Sequence, residues 1–113
     1  MSIASDLIRG HTETIVLAQL SERDSYGYEI NKAIQLKTEG RYELKEATLY
    51  SAFRRLEQGQ CVKSYWGGEE TGARRRYYSI TPVGAAVLAQ NRIDWHEAKE
   101  LIDKLIVAEG TDE

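Results

Sequence analysis

A chain of 113 residues with 42% hydrophobic and 29% charged side chains can build one modest core and not two. Its single cysteine, Cys61, excludes an intramolecular disulfide and favours a cytosolic setting, and no apolar run approaches the roughly 20 residues of a membrane span. The net charge of −3 argues against nucleic acid only until it is mapped: residues 41–80 carry eight Lys/Arg against five Asp/Glu, and the remainder seven against thirteen.

In chain order, Leu7, Ile8, Ile15, Val16 and Leu20 recur at helical spacing and predict a first helix over Ile3–Leu20. Asp6 and Arg9 interrupt its apolar run, so no secretory signal is expected. Ser21–Ser25 reads as a polar turn. A second helix follows over Tyr26–Lys37, with Tyr26, Ile30, Ala33 and Ile34 inward. Gly40 breaks the chain, and Tyr42-Glu43-Leu44 is expected to form a short strand.

The next helix, Glu46–Gln58, carries most of the functional information. Leu49, Ala52, Phe53 and Leu56 fall on one apolar face, Thr48, Ser51 and Arg55 on a neighbouring stripe, and Tyr50 with Arg54 on the next. Hydroxyls and arginine bind base edges, and arginine also binds phosphate, so this face suits a DNA major groove. Cys61–Trp66 and Arg75–Ile80 then read as two strands around a glycine-rich tip, Gly67–Ala73. Arg74, Arg75 and Arg76 lie at the tip and the start of the second strand, where alternation should point Arg75 opposite to its two neighbours. Cys61 itself reads as a small buried hydrophobe.

Thr81-Pro82 is an N-cap followed by proline at the first helical position, and the helix it starts should reach Val107, before a frayed tail at 110–113. About 26 residues make a rod of roughly 39 Å, longer than the body of the domain. Leu88, Trp95, Ala98, Ile102 and Leu105 keep a coiled-coil spacing along it. Either the stripe pairs with a second copy or the helix bends back over the first helix; pairing is the expectation, since it also places two reading helices on successive turns of DNA. Trp95 is by default a seam anchor, although two such rings facing across a dyad, with Ala98 and Ala89 nearby, would leave a slot for a planar aromatic molecule.

The element order predicts a mostly helical α+β fold, a winged helix-turn-helix over 1–80 followed by a dimerisation helix over 81–109. The third helix reads a groove while the hairpin contacts the adjacent backbone. An enzyme is not supported: His11 and His96 stand far apart, Cys61 has no base nearby in sequence, and no metal-ligand spacing or cofactor motif occurs. A winged-helix module that binds proteins or ligands without DNA is the alternative.

Leu7-Ile8-Arg9-Gly10, Tyr26-Gly27-Tyr28-Glu29-Ile30, Ala47-Thr48-Leu49-Tyr50, Arg55-Leu56-Glu57 and Arg75-Arg76-Tyr77-Tyr78 resemble, in order and spacing, the PadR family of bacterial transcriptional regulators. The single long last helix resembles its short subgroup, and Glu46–Tyr50, Ser64–Gly67 and Trp95 are similar to the multidrug-efflux repressors within it. That resemblance implies a homodimer on an inverted-repeat operator, repression, and release by a small molecule held between paired tryptophans. It assigns DNA contact to Thr48, Tyr50, Arg54, Arg55 and Arg74–Arg76, and ligand stacking to Trp95. Three positions depart from the family pattern. Lys45, expected to meet phosphate, stands where relatives commonly carry a capping Ser or Asn. Ser51, added to the DNA contacts, replaces a proline, and Gly59-Gln60 sets glycine one residue early.

Overall fold

The computed structural model describes residues 3–107; the tail at 110–113 and the expected helix end at 108–109 lie outside them. Five helices and one hairpin follow in the order α1 (Ile3–Arg9), α2 (Thr12–Glu22), α3 (Gly27–Lys37), α4 (Glu46–Gln58), β1 (Val62–Gly67), β2 (Arg75–Ile80) and α5 (Pro82–Ile106). This is a mostly helical α+β winged helix.

The first predicted helix is in fact two. The His11 amide bonds back to the Ile8 carbonyl at 2.8 Å, and the Thr12 hydroxyl donates to the Arg9 carbonyl at 2.8 Å, closing α1 before α2 begins. Gly10 lies at the break, where glycine weakens helix propagation. The strand expected at Tyr42–Leu44 is absent. Its backbone is satisfied instead by side chains: Asn31 donates to the Leu44 carbonyl and accepts from the Leu44 amide, both at 2.8 Å, and the Thr38 hydroxyl accepts from the Tyr42 amide at 3.1 Å. The extra pairing to the hairpin comes from Ser25, which exchanges two backbone bonds with Tyr78. A residue expected in a turn thus extends the two-stranded sheet by one bridge.

β1 and β2 pair antiparallel from Val62↔Ile80 to Gly67↔Arg75. Val16, Leu17 and Leu20 of α2 form the centre of the core, with Ile30 and Ile34 of α3, the predicted apolar face of α4, and Cys61, Val62 and Tyr78 of the wing around them. Phe53 stacks on Tyr78 with ring centroids 3.7 Å apart, which fixes the wing against α4.

The Thr81 hydroxyl accepts from the Gly84 amide at 3.0 Å, the predicted N-cap of α5. One turn in, Gly84 lets α5 touch the α4–β1 link: a Cβ there would lie 2.1 Å from the Cys61 carbonyl oxygen. From that anchor α5 runs out as a rod, and the molecule extends 58 × 29 × 22 Å.

Candidate nucleic-acid interface

Helix α4 starts without a side-chain cap, because Lys45 occupies the cap position and offers only a donor. The end of α4, ambiguous in sequence, is a Schellman turn: Gln60 donates to the Glu57 carbonyl at 3.0 Å and Cys61 to the Leu56 carbonyl at 2.8 Å. Gln60, not Gly59, takes the left-handed conformation, at φ 62°.

The outward surface of α4 divides into two flanks on either side of exposed Arg54. On one flank Thr48, Ser51 and Arg55 border a cavity of about 670 Å³ shared with Arg9, His11 and Glu13 at the α1–α2 junction. Arg55 is bound there within the chain, its Nε to Glu13 at 2.5 Å and its Nη1 donating to the Ser51 hydroxyl at 2.9 Å. On the other flank, Tyr50 and Arg75 border a cavity of about 630 Å³ together with Tyr26, at the N-cap of α3, and Tyr28 and Lys32 of α3. Tyr50 crosses the start of α3 because residue 27 is glycine: a Cβ at Gly27 would come within 2.8 Å of the Tyr50 hydroxyl.

The wing arginines each lie against a ring. Arg74 covers Trp66 at 4.6 Å, Arg75 covers Tyr26 at 5.1 Å and Arg76 covers Tyr78 at 5.9 Å from the ring centre. Consecutive Arg75 and Arg76 go to opposite faces of the hairpin, as strand alternation requires. Arg74 and Arg76 also meet carboxylates, Glu69 and Glu57, each at 3.6 Å. The Tyr65 hydroxyl donates to Asp24 at 2.6 Å, and chiefly that bond pushes its ionisation up to about 12. Burial pushes Tyr78 up as well.

Sequence reasoning missed Tyr28 and Lys32, although they stand one turn apart on the exposed side of α3 and that spacing was available. Glu13 had no such signal, since it meets Arg55 across 42 positions of chain.

At the other end, Leu88 was expected in the dimer seam. It is only 3% exposed within the single chain, buried in the core near the α5 anchor, and so is not free to meet a partner. Trp95, Ile102 and Leu105 are open, at 47%, 47% and 79% exposed. Trp95 meets the edge of His11 at 5.2 Å and borders a groove of about 470 Å³ with Leu7, Ile8, Ile15 and Ile102. Ala98 and Ala89 are not walls of that groove; Ala89 lies roughly 120° around the helix from Trp95. Among the described residues no group of three or more His, Cys, Asp or Glu is placed to hold a metal, and no helix is long and apolar enough to cross a membrane.

A reading helix flanked by an arginine-bearing hairpin on a winged-helix body defines the class of DNA-binding transcription regulators. The profile of the PadR-like transcriptional regulator family matches residues 16–90, and the chain belongs to that family. A solved transcriptional regulator from Clostridium thermocellum is similar at 50% identity and a TM-score of 0.84, over 93% of this chain and 99% of that one. A PadR family transcription regulator from Clostridium difficile is similar at 32% identity and a TM-score of 0.73, over 85% and 98%. An uncharacterised protein of Lysinibacillus sphaericus is 44% identical over 89% of this chain and 93% of its own. The Escherichia coli transcriptional regulator YqjI is 31% identical over 88% of this chain, which spans only 44% of that protein.

Proposed function

We propose that this protein is a homodimeric, sequence-specific repressor of the family's short subgroup, acting in the cytoplasm on an inverted-repeat operator. Residues 1–80 bind DNA and residues 81–109 hold the dimer. The observation that carries this reading is that Tyr50 of α4 and Arg75 of the wing border one cavity, with exposed Arg54 on the same helix, while the open apolar stripe belongs to a separate element, α5. Phosphate contact by these cations predicts an affinity that falls steeply with salt. In a gel shift with the DNA upstream of its own gene, Arg54→Ala with Arg75→Ala should weaken binding at least tenfold while the dimer stays folded. Full affinity in that folded double variant would remove the assignment.

A planar aromatic molecule stacked on Trp95 at the dimer centre is the proposed releasing signal, as in the multidrug-efflux branch. Trp95 and Trp66 are the only tryptophans, so binding should quench fluorescence in wild type and not in Trp95→Ala. Equal quenching in both would sink the slot.

A further inference from the structure

Of the five arginines on the reading helix and wing, Arg55, Arg74 and Arg76 face carboxylates of this same chain. Their partners come from separate places: Glu13 from the first turn of α2, Glu69 from the wing tip and Glu57 from the last turn of α4. Arg54 and Arg75 have no carboxylate partner among the described residues. Arg55 is further held by Ser51, and Glu57 also accepts from the Ser64 hydroxyl at 2.9 Å. All three pairs are exposed to solvent, where an ion pair contributes little to folding.

Their consequence lies in binding. A carboxylate offers a guanidinium the same anionic oxygens as a phosphate does. Sequence-independent binding draws nearly all its strength from cations that neutralise phosphates and release counterions. An arginine already neutralised at home contributes less to that process, and pulling it away strands a carboxylate beside the DNA. A site that also offers base-edge bonds can offset that loss, whereas a random site cannot.

We propose that Glu13, Glu57 and Glu69 are specificity-determining residues, internal counter-charges that keep Arg55, Arg76 and Arg74 off random DNA. The net charge of −3 acts in the same direction at longer range. This inference rests on the DNA-binding reading above.

The test compares a random-sequence duplex with the DNA upstream of the protein's own gene, across a salt series. Glu13→Gln, Glu57→Gln and Glu69→Gln should each tighten binding to the random duplex roughly two- to five-fold, the range expected of exposed ion pairs. Each should steepen the salt dependence by about 0.9, one further phosphate contact. Affinity for the upstream DNA should rise less, so the ratio between the two falls. Glu13→Gln placed on Arg55→Ala should change nothing. An unchanged salt slope, or weaker binding to both DNAs by a variant with wild-type melting temperature, overturns the inference.

A second comparison does not depend on those variants. Arg54→Ala should lower the random-duplex slope by about 0.9, while Arg55→Ala leaves it nearly unchanged; equal losses also overturn the inference. If wild type binds neither duplex at low salt, the DNA-binding reading itself fails and the inference with it.

Discussion

The two ends of this molecule treat exposed groups in opposite ways. At α4 and the wing, several side chains that face water already have a partner: arginine on ring, arginine on carboxylate, tyrosine on Asp24. Along the far half of α5, Trp95, Leu101, Ile102, Leu105 and Ile106 stand open with no core to enter. Polar and charged groups can be satisfied locally by a few well-placed neighbours. Apolar area is covered only by more surface, which a rod projecting from a small domain does not have.

The largest expected effect comes from breaking the open end. Ile102→Glu with Leu105→Glu should convert the proposed dimer to monomer in sedimentation, since burying such side chains contributes about 1.5–3 kcal/mol each. Monomer stability should hardly change, because both residues are exposed in the single chain. A dimer that survives would place the seam elsewhere.

Next in size is the joint between the two ends. Gly84→Ala drives a methyl group against the Cys61 carbonyl, whose own oxygen also accepts the Thr81 amide at 3.0 Å. Backbone held in this way yields little, so a loss of about 1–3 kcal/mol is expected in thermal unfolding. An unaltered melting temperature would mean that α5 can shift.

The end of the reading helix offers a smaller gain. Gln60 sits left-handed at φ 62°, where glycine is relaxed, so Gln60→Gly should stabilise by on the order of 0.5–1 kcal/mol, the relief exceeding glycine's added chain entropy. The denaturant midpoint reads it, and a decrease would show that the glutamine side chain matters more than its backbone.

Smallest is the wing tyrosine. Its raised ionisation favours the neutral form in the folded state, so the associated stability is present below about pH 10 and is lost as pH climbs towards 12. Asp24→Asn should return Tyr65 towards its ordinary value in an ultraviolet titration; no movement would mean that the hydrogen bond is not the cause.

Much of the fold was readable because local rules act on local residues. The spacing of Leu49, Ala52, Phe53 and Leu56 fixed the buried face of α4, though not its end, and Thr81-Pro82 fixed the start of α5. The alternation that separates Arg75 from Arg76 followed from strand geometry alone. The break at Gly10 was a local event, closed by bonds three positions apart, whereas two other misreadings share one cause, a long-range partner that outweighs local preference. Tyr42–Leu44 had strand-like residues, but Asn31 supplied its hydrogen bonds from 13 positions earlier. Leu88 had seam spacing, but the anchor at Gly84 brought it into the core.

By itself the sequence therefore determined most of the elements, their order, the buried face of α4 and which residue types lie on its outer surface, since each depends on neighbours a few positions away. Tertiary structure alone decided which arginines carry internal counter-charges, which ring supports each, where the wing gains its extra bridge and how much of the α5 stripe is left open. Arg55 with Glu13, Arg75 with Tyr26 and Ser25 with Tyr78 meet across tens of positions, and even the nearer pairs, such as Arg74 with Glu69, depend on how the hairpin tip folds.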